Sequence, residues 1–439
     1  MTRWAGRTAG RTVIAIGGLA LLLACAVGLA DSTGKVVPAA SAAAAGKVTL
    51  TVMTPEAENP TAIDWYTKVL KPAFEKETGI TLNIQITDWN SYLQKIPVLF
   101  AGGRGPDVFV VGGELLGTYV NARMVQPLNK WADDWPGLQD YPKPALLDGT
   151  IDGNLYTIPY RLDQRTFFYR QDIFEQVGLD PRHPPTTWDE LVEMGRKLVV
   201  RDEKGEFKRD AINAWPHWSN VAVFILQNGG RFVTADGKQA AFDSPAAIEA
   251  LQFFVDLSQK HKIAGPWGSP YHGVEAVVSG TAAMQYGGAW VLGQMAATHP
   301  KDVDDLGVTL PPKKLNRSGL LYVNKWAMSR TTKNPEAAWK FIEFATRPEM
   351  MAQICQINSH LPARVSVIKS FSPWKDDPRW LVFLAAANET VPFPANARKL
   401  GEVMSSIEAA VRSTLEGKQA LEQAVATEAE RATKLLQGR

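Results

Sequence analysis

Apolar and polar residues alternate along residues 47–54 (KVTLTVMT) and again along 80–86 (ITLNIQI), a period of two that predicts strands. Between them Ile63, Trp65, Val69, Leu70, Ala73 and Phe74 recur at helical spacing, and Gly79 closes the run. Residues 61–78 therefore read as an amphipathic helix. A second helical stretch, 89–100, stops at AGGRGPD, where glycines and Pro106 force a turn. Residues 107–111 are short and continuously apolar, as in a parallel strand covered on both faces. The order β-α-β-α-β implies an α/β lobe with right-handed crossovers.

The pattern continues in the same style. Residues 166–169 read as a strand and 171–178 as a short helix. Pro184-Pro185 followed by Thr186-Thr187-Trp188-Asp189-Glu190 combines a proline stop, a threonine N-cap and first-turn acids, so it opens a helix. Turn chemistry at Ala235-Asp236-Gly237-Lys238 predicts a β-hairpin over 229–242. Ser244-Pro245 and Asn334-Pro335-Glu336 start helices that run to 259 and 345. Residues 400–436 are Ala/Glu-rich and helical, and no repeat of solenoid period is visible. Gly102-Gly103-Arg104-Gly105 is no phosphate loop: no Gly-Lys-Ser/Thr follows, and Val108 stands where a dinucleotide fingerprint needs its third glycine.

Length changes the picture first. A chain of 439 residues implies two or more lobes, because single cores stop growing at roughly 250–300 residues. Residues 1–11 carry Arg3, Arg7 and Arg11 and no acid, and residues 12–30 are free of charge. A basic region followed by an apolar one is an export signal, although the run of 19 residues would also just span a bilayer as an uncleaved anchor. Leu22-Leu23-Ala24-Cys25 fits a lipobox with Cys25 as the lipidated residue, the preferred reading; a cut after Ala40-Ser41-Ala42 is the alternative. Residues 31–46 read as a flexible tether. Loss of the three arginines takes the net charge from +2 to −1. A near-neutral chain without a basic block argues against nucleic acid. Cys25 and Cys355 are too few for a disulfide scaffold, and Cys355 in MMAQICQIN reads as a buried helix residue.

The candidate chemistry centres on residues 281–293, TAAMQYGGAWVLG. Two glycines beside Trp290 let the backbone approach closely and leave a ring face on offer. Such a face suits the C–H side of a sugar ring; an isolated Trp would equally fill a core.

Several segments, in order, resemble one family. They are Phe74-Glu75-Lys76-Glu77-Thr78-Gly79-Ile80, residues 89–107 ending in Gly105-Pro106-Asp107-Val108, Leu155 to Pro159 leading to Phe168-Tyr169, Pro185 to Leu191, Asn228-Gly229-Gly230, Gly280 to Met284 with Trp290, and NPEAAWKFIEF at 334–344. The chain is similar in these to the extracellular solute-binding proteins of bacterial ABC sugar importers, the class typified by maltose-binding protein. That resemblance implies an α/β, two-lobed periplasmic-binding-protein fold of type II, with a ligand cleft between lobes and a multi-strand hinge. It places residues 47–161 and 321–371 in one lobe, 163–318 and 372–439 in the other. It further implies no cofactor, no metal, a monomer, a carbohydrate ligand, and ABC permease subunits as partners outside the cytoplasm. Membrane attachment would come through the N-terminal lipid anchor or signal only.

Carried over position by position, the resemblance offers Glu114 and Asp163 as carboxylates that accept from sugar hydroxyls. Trp290 matches the stacking aromatic, and Trp218 falls where another aromatic lines the cleft. Trp89 and Tyr92 are wall residues of the first lobe; Phe393, Asn396 and Arg398 lie in a late loop that reaches back, and Arg364 is a looser candidate. Asp107 and Trp188 are assigned to structure. Two other classes stay open. A secreted glycosidase would need two carboxylates about 5–10 Å apart, for which Glu114 and Asp163 are the candidates, but the resemblance speaks for binding and no Gly-x-Ser-x-Gly elbow appears. A binding protein for a peptide, polyamine or glycerol phosphate ester is the other; a phosphorylated solute would call for Arg or Lys in the cleft, and Arg161, Arg165 and Arg398 are the candidates. A metalloenzyme is disfavoured, since the six histidines are scattered without a His-Glu-x-x-His pair.

Overall fold

The computed structural model describes residues 48–438 apart from 58, 270–272, 274, 275 and 392. The export segment, the tether and Cys25 lie outside the described residues.

Two sheets organise the chain. Strands β1 (Thr49–Thr54), β2 (Thr81–Ile86), β3 (Val108–Val111), β4 (Thr157–Gln164), β10 (Leu321–Met328) and β11 (Leu361–Pro362) form a six-stranded sheet in the order β11-β4-β10-β3-β1-β2. Strands β5 (Thr166–Arg170), β6 (Val200–Arg201), β7 (Phe207–Ile212), β8 (Ala282–Gly287) and β9 (Leu306–Thr309) form a five-stranded one, β9-β5-β8-β7-β6. β1 pairs in parallel with β2 and β3, as the βαβαβ reading requires. A mixed α/β chain with two large sheets, besides a two-stranded one of Thr150–Ile151 and Asn154–Leu155, is the observed architecture. The chain passes from one sheet to the other between Gln164 and Thr166 and returns between Thr309 and Leu321.

The sequence signals act as expected at most element ends. Asn59 caps the first helical run through Thr61 N, and Gly79 ends it at φ 71°. Within that run residues Trp65–Leu70 are π-helical, immediately before Pro72, which has no N–H for the regular ladder. Thr187 caps the helix α2 (Trp188–Leu198), following α1 (Trp89–Ala101). Trp188 stacks on Phe253 at 4.2 Å, and Asp107 holds Thr51 N and Thr332 Oγ1, so both are structural. Cys355 is fully buried in its helix. The expected hairpin over 229–242 is a single antiparallel bridge, Val233 to Ala240, around a turn with Gly237 at φ 69°. The segment is too short to extend a ladder.

Candidate ligand-binding cleft

Register brings the site together. Asp163 near the end of β4 lies opposite Tyr322 of β10, and Thr166 at the start of β5 lies opposite Gly287 of β8. Arg165, between the two sheets, therefore sits beside both Tyr322 and the Gly287-Gly288 turn. Helix α4 (Trp290–Thr298) starts two residues later and puts Trp290 on the same corner; α3 below is Trp218–Gln227.

The corner is tight. A methyl group on Gly288 would collide with Asp163 Oδ1 and lie 2.6 Å from Trp290 Nε1, which explains the glycine. Arg165 Nη2 meets Asp163 Oδ2 at 3.2 Å, and its guanidinium lies 5.5 Å from the Trp290 ring and 5.4 Å from the Tyr322 ring. Asp163 Oδ1, Arg165 Nε and the Tyr322 hydroxyl are buried without a hydrogen-bond partner among the described residues. Such groups cost free energy unless something else satisfies them.

Tyr322 is the hub. Trp218, first residue of α3, approaches its ring at 5.5 Å, and Phe393 at 5.1 Å. Glu114 stands in the short turn after β3, and Gly112 separates its carboxylate from Trp89 at the start of α1. Burial pushes the Glu114 carboxyl up, against the pull of nearby Lys325. Lys325 is itself fully buried and ion-paired with Asp148, donating also to the Asp148 carbonyl at 3.0 Å. Beside the corner, a cavity of about 160 Å³ is lined by Arg165, Asn213, His217, Ser219, Asn220 and Trp290. Burial holds the His217 imidazole below its ordinary value.

Of the sequence candidates, Asp163 and Trp290 share this corner, Glu114 and Trp89 approach each other beside Gly112, and Trp218 and Phe393 flank Tyr322. Phe393 is buried against Tyr322 and Phe232, so it backs the wall. Three expectations need correction. Tyr92 is fully buried and donates its hydroxyl to Val110 O at 2.6 Å, a core role. Arg364 pairs with Asp140 at 2.8 Å and donates to Thr346 O, which fixes a helix start away from the corner. Asn396 and Arg398 line a separate groove with Asp152 and Asp236, Asn396 bonding Ala235 O. Tyr322, Trp215, His217 and Asn220 were missed; their only sequence signal was an aromatic and polar cluster around Trp218 and a Tyr on a crossing strand. Among the described residues no group of three or more His, Cys, Asp or Glu is placed to hold a metal ion.

A profile of bacterial extracellular solute-binding proteins matches residues 57–352. The chain is 26% identical over 336 residues to the maltotriose-binding protein of Pyrococcus abyssi, covering 73% of this chain and 68% of that one. Among solved structures it is similar to an ABC transporter solute-binding protein from Thermotoga lettingae bound with alpha-D-tagatose, at 25% identity and TM-score 0.74, covering 89% of this chain and all of that one. It is also similar in fold to the sugar-binding protein MalE of Xanthomonas citri, with 21% identity, TM-score 0.77 and coverage of 89% and 98%.

Proposed function

The chain belongs to the family of bacterial extracellular solute-binding proteins, and we propose that it captures a carbohydrate of one to a few sugar units and delivers it to the permease of an ABC importer. The observation that carries this reading is the corner itself. Asp163 offers an acceptor and Arg165 a donor beside the half-buried face of Trp290, and the acceptor Glu114 stands near the ring of Trp89 beside Gly112. Ring hydroxyls need acceptors and donors at fixed places, and ring C–H faces need an aromatic surface. Capture involves no bond chemistry.

The lobes take residues 47–161 with 321–371 and residues 163–318 with 372–439, and closure over the solute bends the crossings near Arg165 and 310–320. The protein works as a monomer outside the cytoplasm, held at the membrane by lipid on Cys25 or released after signal cleavage. Calorimetric titration of purified protein with a panel of neutral mono- and oligosaccharides tests the function. Saturable binding with the sugar recovered intact supports it; hydrolysis of a bound glycoside, or no response to any sugar, refutes it.

A further inference from the structure

We propose that the solute carries no negative charge, and that Arg165 is a specificity-determining donor to a neutral oxygen; this deepens the solute-binding reading and rests on it. An anion-binding cleft needs cations free to meet the anion. Here the cations of β4, β10 and the first crossing are already ion-paired. Arg161 is buried and bridges Glu56 at 2.9 Å. Lys325 is buried against Asp148. Arg165 is pinned by Asp163 and clasped between the Trp290 and Tyr322 rings. On the far side of Trp218, whose backbone N–H donates to Glu408, Arg412 is ion-paired with that same Glu408.

Burial disfavours the charged form of the two histidines described near the corner, His217 and His360. It lowers His217, and it takes His360, near Asp163 and Arg161, down to about 4. Arg398 is exposed in a different groove with Asp152 and Asp236. Among the described residues Glu114, in the turn after β3, is an ionisable group to which no other side chain donates. A phosphate or carboxylate entering here meets the Glu114 carboxyl, whose nearby cation Lys325 is already taken by Asp148, in a site that solvent screens poorly.

What Arg165 and Asp163 do offer is one unpartnered donor, Nε, and one unpartnered acceptor, Oδ1, on a single ion pair. Neighbouring hydroxyls satisfy both, one accepting and one donating, without disturbing the pair. An anionic group accepts from Nε but brings no proton for Asp163 Oδ1, and it sets its charge beside that carboxylate.

The experiment titrates the purified, folded protein with each sugar of the panel in three forms: neutral, phosphate ester and uronate. The expected result is binding of a neutral form, with both anionic forms at least tenfold weaker. In Glu114→Gln the gap should narrow, because the repelling charge is gone. Anionic forms that bind as tightly as the neutral one overturn this inference while leaving the solute-binding reading intact. A gap undiminished in Glu114→Gln overturns the part assigned to Glu114. Binding of no form at all removes the underlying reading and this inference with it.

Discussion

Gly288→Ala is the sharpest perturbation of the corner. Backbone strain does not decide its effect, since Gly288 is not among the residues at positive φ. The effect is steric. The new methyl would collide with Asp163 Oδ1 and stand 2.6 Å from Trp290 Nε1, whereas ordinary contacts begin near about 3.5 Å. The indole must therefore retreat by about 1 Å, and the carboxylate must swing away. Asp163 holds Arg165 at 3.2 Å, so the donor moves as well. Loss of one charge-assisted hydrogen bond to the solute costs about 1.5–3 kcal/mol, which raises Kd by roughly 10–150-fold. Overpacking costs fold stability about 1–3 kcal/mol, enough to lower Tm by a few degrees. Calorimetric titration with the tightest sugar of the panel, beside a thermal melt, separates the two effects. A variant that binds with wild-type Kd refutes the assignment of Asp163 and Trp290 to the solute.

Trp290→Ala removes the stacking face and should raise Kd by about 1–3 kcal/mol; an unchanged constant in the same titration returns Trp290 to a packing role. Tyr322→Phe deletes a hydroxyl that has no hydrogen-bond partner among the described residues and keeps the ring against Arg165, Trp218 and Phe393. The melt should therefore be nearly unchanged while sugar affinity drops several-fold, and a large fall in Tm with unchanged affinity contradicts this. Burial lifts the Asp148 carboxyl from 3.8 to about 6. The neutral form is thus favoured by folding: its stabilisation is complete below pH 4 and is lost as pH rises through about 6, roughly 3 kcal/mol. Urea unfolding across that window should show the decline in wild type and a flatter curve in Asp148→Asn, which is also less stable overall because Lys325 loses its partner. Equal slopes in both proteins would exclude Asp148 as the source.

Much of the fold was readable because local rules and global packing agree. The period-two runs became β1 and β2, Gly79 stopped the first helix, and Thr187 capped another. Trp290 and Asp163 were readable as a site only through the ordered motifs, and the register of β4 with β10 and of β5 with β8 explains how they meet. Tyr322 was missed for the same reason: it stands 159 residues from Asp163 in sequence, and only strand pairing makes them neighbours. Tyr92 and Arg364 show the converse failure. Whether an aromatic on an amphipathic helix points to the core or the cleft depends on the helix's rotation against its sheet. Whether an arginine is free depends on a partner such as Asp140, 224 residues away. Neither is a local property.

A structure of the protein with its tightest neutral sugar tests the central claim most directly. The account predicts a pyranose or furanose ring lying on Trp290, with hydroxyls in hydrogen-bond distance of Asp163 Oδ1 and Arg165 Nε and another reaching Glu114. A sugar seated elsewhere, with the Asp163–Arg165 pair untouched, would contradict it.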